Sequence, residues 1–274
     1  MINILFGGNN KVYNGILLCS LSIIKHTNEP LNIFILTADL RKYNPDYTPI
    51  TESQISILNK VLKNKNSNSN AQLILLNEDF ENWIMNSANK LSSYTPFAFL
   101  RLFADKVELP DKLIYLDTDI MLNGDINELY NTDISNHELG VVLDRYGQVF
   151  IKANYFNSGV LLMNMKKLKE SNMLEKVRNL CSNKKMPFPD QDALNKLCKN
   201  KLYLPRKFNE QGNPKKDTII QHFSKRIVWF PFHTINIKPW HIEKVQKRYK
   251  IHIYDDIYKE YNKLISLNNN LQLM

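Results

Sequence analysis

The sequence predicts an α/β protein: a mostly parallel sheet with helices on its faces. Three observations carry this. Short apolar runs of strand length alternate with longer stretches of helical spacing, the pattern of strand–helix–strand crossovers. One run, Leu113-Ile-Tyr-Leu, is uninterrupted, as in strands buried on both faces, and it ends in two carboxylates, Asp117 and Asp119. The 274 residues, 43% of them hydrophobic, are enough for a full core.

In chain order, Ile2 to Phe6 is the first strand, followed by the turn Gly7-Gly8-Asn9-Asn10 and an apolar helix from about Tyr13 to His26. Leu31 to Thr37 is the second strand. Thr51 to Lys63 carries Ile55, Leu58, Val61 and Leu62 at helical spacing, with Thr51 or Ser53 as its cap. Lys63 to Asn70, rich in Asn and Ser, is expected as an exposed loop before a third strand at Gln72 to Leu76. Thr95 to Leu109 is expected as a helix, with Phe97, Leu100 and Ala104 on one face and Phe103 and Val107 beside them. Beyond Leu113 to Leu116, strands are expected at Leu139 to Leu143, Val160 to Met163 and Ile219 to Gln221, the last delivering His222. A helix is expected at Ala193 to Leu197, capped by Pro189-Asp-Gln. Residues 1–240 form the expected domain, and 241–274, basic and rich in tyrosine, a helical appendage.

The net charge of +9, concentrated late in the chain as in Lys244-Val-Gln-Lys-Arg-Tyr-Lys, favours anionic partners: nucleotide phosphates or an acidic membrane face. A solvated basic helix face explains the same residues. Nothing matches a nucleic-acid recognition motif, which excludes that partner class. Cys19, Cys181 and Cys198 lack metal-ligand spacing and are odd in number, so buried thiols in a reducing compartment are expected. The longest apolar stretch, Gly15 to Ile24, is too short to span a bilayer, and the first residues lack a signal peptide's basic start and cleavage site. A cytoplasmic protein, peripheral at the inner membrane face, is the expectation.

Two acids one residue apart at a strand end are costly to desolvate unless a cation neutralises them. A hard divalent metal held by both acids and by a ligand's phosphates meets that need. A strand running into a polar turn, with Asp119 as a cap, is the alternative from the pair alone.

Further blocks follow in one order along the chain: Tyr155-Phe-Asn-Ser-Gly-Val-Leu-Leu-Met-Asn, Asp190-Gln-Asp-Ala-Leu-Asn, Ile220-Gln-His-Phe and Lys238-Pro-Trp. With the first strand, its turn and the Tyr-Leu-Asp-Thr-Asp run, this ordered set over roughly residues 1 to 240 resembles glycosyltransferase family 8, which includes bacterial lipopolysaccharide galactosyl- and glucosyltransferases and glycogenin. The resemblance implies a GT-A fold, Rossmann-like in its nucleotide-sugar half, Mn²⁺ or Mg²⁺ as cofactor, and a UDP-sugar donor. It also implies a saccharide or glycolipid acceptor and retention of configuration. On this resemblance Asp117, Asp119 and His222 are the metal ligands. Gly7, Gly8, Asn9, Tyr13, Asp117, Thr118, Asn157 and Lys238 face the donor, Lys238 at its diphosphate. Arg101 falls close to the donor sugar and phosphates, and Asp190 and Gln191 nearest the reacting carbon. In such enzymes the glutamine orients the sugar while the leaving phosphate accepts the acceptor's proton. Asp144, after a strand, is placed on the acceptor side.

Two departures from the family pattern matter. Asn9 stands where the family usually has aspartate, and the spacing to Tyr13 is one residue longer, which weakens the expectation of UDP specificity. His222 and Lys238 are separated by fifteen residues instead of lying close together, which makes His233 a rival metal ligand. His222 is preferred because Ile219-Ile-Gln supplies a strand to deliver it. The intervening Trp229, Phe230 and Phe232 suit either an acceptor-binding flap or a local hydrophobic cluster. A competing function is a nucleotide-sugar-binding accessory module with reduced turnover. A phosphatase of the haloacid-dehalogenase type is disfavoured, because the acid pair lies mid-chain and Met121 replaces that family's Thr or Val.

Overall fold

The computed structural model describes residues 1–76, 78–90 and 95–272, with side chains through residue 266. Its strands are β1 (Ile2–Gly7), β2 (Leu31–Thr37), β3 (Asn70–Leu75), β4 (Lys112–Leu116), β5 (Ile120–Leu122), β6 (Leu139–Leu143), β7 (Phe156–Asn164), β8 (Lys201–Tyr203), β9 (Ile220–His222), β10 (Arg226–Val228) and β11 (His233–Ile235). Seven of them form one sheet in the order β3-β2-β1-β4-β7-β6-β8. All its ladders are parallel except those of β7, which runs against both β4 and β6. The expected mostly parallel sheet is present, with one reversed strand. That reversal puts the start of β7 at the same edge as the carboxyl ends of β1, β4 and β6, where ligand sites of α/β sheets lie.

Side chains alternate across the sheet and feed two cores. Ile2, Ile4, Phe6, Ile114 and Leu116 pack with the helices Tyr13–His26 and Glu52–Lys65. Leu5, Leu113 and Tyr115 pack on the other face with Phe97 to Ala104 and the helices Met173–Asn183 and Pro189–Leu197. The tail beyond residue 240 packs on the first face: Tyr249, Ile251, Tyr254, Ile257, Tyr258 and Tyr261 join that core, and the helix Asp255–Gln272 lies against Tyr13–His26. All three cysteines are buried free thiols. Among the described residues no helix is long and apolar enough to cross a membrane.

Several expected boundaries move for local reasons. Thr51 caps its helix through a capping box with Gln54, and the helix runs on to Lys65, shortening the expected loop. The expected helix at 95–109 is a run of 3₁₀ turns, Pro96–Lys106. The spacing of three in Phe97, Leu100 and Phe103 suits that tighter winding as well as an α-helix, and burial on nearly every side supports it. Strand β7 starts at Phe156, so polar Asn157 and Ser158 are buried in its first residues. The helix expected at Ala193 starts at Pro189, which places Asp190 and Gln191 inside its first turn instead of ahead of it as caps.

Candidate active site

The acids leave β4 at the sheet's ligand edge, where Asp117 N–H donates to the Gly159 carbonyl of β7 at 2.8 Å. The chain then turns into β5, which pairs antiparallel with β9 so that Ile120 faces His222. That short ladder sets His222 beside Asp119: its Nε2 lies 3.2 Å from Asp119 Oδ1 and 3.9 Å from Asp117 Oδ2. One ligand atom from each of Asp117, Asp119 and His222 falls within 4.8 Å of the others. An octahedral cation with ligands at about 2.1 Å sets neighbouring ligand atoms roughly 3 Å apart and opposite ones roughly 4 Å apart, so the three residues fit a divalent ion.

The close approach depends on Gly159. A Cβ there would lie 2.3 Å from His222 Cε1 and 2.7 Å from Asp117 Oδ2. The acid loop is also seated on the first helix at Gly15, where a Cβ would meet the Thr118 carbonyl at 2.1 Å and the Trp240 ring at 2.5 Å. Through Trp240 the same contact anchors the Lys238-Pro-Trp block. Lys238 Nζ donates to Asp119 Oδ2 at 2.5 Å and to the Phe223 carbonyl at 3.3 Å. The fifteen residues between His222 and Lys238 fold outward as the β10–β11 hairpin, so the two ends of the insertion meet again at Asp119. His233 lies on that hairpin beside Arg248, and the structure does not bring it to the acids.

Each acid has a resident cation of a different kind. Arg101 is 6% exposed and donates from Nη2 to Asp117 Oδ1 at 2.8 Å and from Nη1 to the Ser158 carbonyl at 2.5 Å. Its Nε faces Asp190 Oδ2 at 3.5 Å, and its guanidinium lies 4.4 Å over the Tyr115 ring. The Tyr115 hydroxyl donates to the same Asp117 oxygen at 2.8 Å. Arg101 is thereby locked, while Lys238 reaches Asp119 with one ammonium on a flexible stem. Burial opposes charge on Asp119, but Lys238 and then His222 outweigh it and hold the carboxyl well below its usual range. Burial also opposes the His222 imidazolium, and Asp119 overcomes it to raise the ring's pKa.

Beyond the acids runs a chain of amides. His222 Nδ1 meets Asn209 Oδ1 at 3.1 Å, and Asn209 Nδ2 donates to Asn157 Oδ1 at 2.9 Å. Asn157 Nδ2 donates to Gln191 Oε1 at 3.1 Å and to Asp144 Oδ2 at 2.9 Å. The Gln191 carbonyl also accepts from Ser158 N–H at 3.0 Å. Asp190 is buried against Arg101 and Ser158; burial pushes its carboxyl up, against the pull of Arg101. Asn209 and Gly159 were not singled out from the sequence. Asn209 holds the second nitrogen of His222, as partners of metal-bound histidines do. The only available signal was a glycine directly after Asn157-Ser158.

The nucleotide turn is more mixed. Gly8 N–H donates to the Leu36 carbonyl at 3.0 Å, which ties the turn to β2, and Asn9 is buried beside it. Tyr13 goes into the core, with its hydroxyl donating to the Gln54 carbonyl at 2.6 Å. Trp229, Phe230 and Phe232 at the hairpin tip are exposed, with Phe150 5.9 Å from Trp229 between ring centres. They form no buried hydrophobic cluster.

Fold and site together define an α/β protein with a candidate cation site at the ligand edge of its sheet, and comparison with known proteins gives the family. The model of glycosyl transferase family 8 matches residues 3–244, and the chain belongs to that family. A Haemophilus influenzae protein named as a glycosyltransferase is 27% identical over 97% of this chain and 80% of its own. The lipopolysaccharide 1,2-glucosyltransferase of Escherichia coli K12 is 31% identical over 59% of this chain; the match spans 55% of that relative's length. Among solved structures, an active-site mutant of LgtC aligns with a TM-score of 0.69 at 18% identity, covering 97% of this chain and 95% of that one. The galactosyltransferase LgtC with donor and acceptor sugar analogues aligns with a TM-score of 0.64 at 20% identity, covering 96% and 95%. These likenesses define the fold as GT-A.

Proposed function

We propose that this chain is a hexosyltransferase. It moves glucose or galactose from the UDP-sugar to a saccharide or glycolipid acceptor, with retention of configuration, in cell-envelope glycan synthesis of the lipopolysaccharide kind. The observation that carries this is the gathering of Asp117, Asp119 and His222 ligand atoms within 4.8 Å at the sheet's ligand edge. The names of the Escherichia coli relative and of LgtC support the hexose and the saccharide acceptor. Residues 1–240 are the transferase domain, and 241–274 an appendage packed on it.

Asp117, Asp119 and His222 would hold Mn²⁺ or Mg²⁺, which when bound supplies Lewis-acid neutralisation of the departing diphosphate. Arg101 holds Asp117 in place through the bond from its Nη2. Lys238, on a flexible stem beside Asp119, would present its ammonium to the donor diphosphate. Gly7, Gly8 and Asn9 let backbone approach the nucleoside. Thr118, between the acids, and Asn157 line the donor, and Tyr13 supports the turn from the core. Gln191, its carbonyl held by Asn157 and Ser158, fixes the sugar from the helix start, with Asp190 beneath it. The acceptor oxygen attacks the anomeric carbon on the face the phosphate leaves, the carbon–phosphate oxygen bond breaks, and the acceptor's proton passes to that phosphate oxygen.

UDP release from UDP-glucose and UDP-galactose, measured with and without Mn²⁺, tests this. Metal-dependent release that disappears in Asp119→Asn is expected; release indifferent to metal would remove the metal role. The second reading, a binding module with little turnover, draws on Lys238 already engaging Asp119 and on Asn9. Tight UDP binding without release on any saccharide panel would favour it. A cytoplasmic location with peripheral contact to anionic membrane rests on exposed Lys244, Lys247 and Lys250. Replacing these three by Gln should abolish pelleting with acidic liposomes, and undiminished pelleting would contradict it.

A further inference from the structure

The chain has seven arginines. Arg41, Arg101, Arg178 and Arg206 each hold a carboxylate. The other three, Arg145, Arg226 and Arg248, have no such partner among the described residues, and all three line one cavity of about 500 Å³. The cavity lies between the β10–β11 hairpin and the loop after β6, with Tyr146, Asn213 and Tyr249 completing its polar wall.

Arg226 is held in place by neutral acceptors only. Its Nη1 donates to Asn213 Oδ1 at 2.7 Å and its Nη2 to the Gly212 carbonyl at 2.8 Å, while its face lies 3.8 Å over the Tyr249 ring. Its buried Nε has no acceptor. Arg145 and Arg248 stand exposed at the mouth. Three like charges around one space repel unless an anion joins them, and planar guanidinium forks match the oxygens of phosphate or carboxylate.

The wall of this cavity is continuous with the amide chain of the site. Gln211 accepts from Arg145 N–H at 2.6 Å and donates to Asp144 Oδ2 at 3.3 Å, the same carboxylate oxygen that accepts from Asn157. The donor's diphosphate is claimed by the acid cluster and Lys238, so an anion here belongs to the other substrate. We infer that Arg145, Arg226 and Arg248 receive an anionic substituent, phosphate or carboxylate, on the acceptor saccharide. The inference rests on the transferase reading and narrows its acceptor to acidic or phosphorylated sugars.

Calorimetry on the full chain with saturating UDP and Mn²⁺, which fill the donor side, tests it with glucose 6-phosphate, glucuronate and glucose as probes. At least one anionic probe should bind about ten-fold tighter than glucose or better, and the stronger of the two identifies the substituent. Arg248→Gln should remove most of that advantage with UDP affinity and thermal midpoint unchanged; Arg226→Gln, which also gives up bonds to Asn213 and Gly212, should remove it with UDP affinity unchanged, and Arg145→Gln, at the mouth, checks the third guanidinium. Equal binding of the three probes, or an advantage that survives both substitutions, overturns the inference. Failure of UDP itself to bind the unaltered chain strikes the donor reading instead, and the same probe comparison without UDP still decides the arginines.

Discussion

Two charged regions sit along one edge of this sheet and are built in opposite ways. In the acid floor every charge is answered before any ligand arrives: Arg101 for Asp117 and Asp190, Lys238 and His222 for Asp119. In the arginine cavity three guanidiniums share a space and none of them forms an ion pair among the described residues; the nearby Glu210 carboxylate is paired with Arg206. The first region closes its charges within the fold; the second ties down Arg226 with neutral groups and leaves its charges without ion pairs. Damage to the acid floor should therefore appear in stability as well as in turnover, and damage at the exposed Arg145 and Arg248 of the cavity in substrate binding alone.

The sharpest way to break that contrast is Arg101→Met. It strands the buried Asp190 carboxylate and the partly buried Asp117, so urea unfolding should show a loss of about 3 kcal/mol; an unchanged midpoint would mean the floor is not prebuilt. Asp119→Asn separates the two roles. Lys238, half-buried on a flexible stem, can turn to water, so stability should fall less than with Arg101→Met. Turnover should drop on the order of 10²–10³-fold through lost charge stabilisation at the leaving group.

A smaller effect is expected one bond further out. Asn209→Ala removes the partner of His222 Nδ1 and should weaken Mn²⁺ binding about 10–100-fold, with metal-free UDP binding unchanged. Smallest of all is Phe230→Ser at the hairpin tip, where the ring is 93% exposed. Thermal unfolding should move by no more than about 0.5 kcal/mol, and a larger loss would mean that the tip packs on something the contrast ignores.

What was legible in the sequence were features carried by local chemistry. The strand runs of β1, β2, β4 and β6, the cap at Thr51 and the acids at the end of β4 all follow from patterns within a dozen residues. His222 was legible through the apolar residues before it, and the structure brings it, not His233, to the acids. What stayed hidden depends on pairing across the chain. The early start of β7 was masked because Asn157 and Ser158 are polar, and their burial is repaid by partners on remote elements. Asn209 gave no local sign, since its two bonds reach residues far along the chain. The spacing of Pro96–Lys106 fits two windings, and packing between the sheet and a helix chose the tighter one. The surface that receives the tail's tyrosines lies on the first helix, far away in sequence, so the partners of that packing had no local sign.

The most direct test of the central claim is a calorimetric titration of Mn²⁺ in the presence of UDP, compared among the unaltered chain, His222→Ala and His233→Ala. One ion per chain, lost in His222→Ala and kept in His233→Ala, is the predicted result. Mn²⁺ binding that persists undiminished in His222→Ala would contradict it.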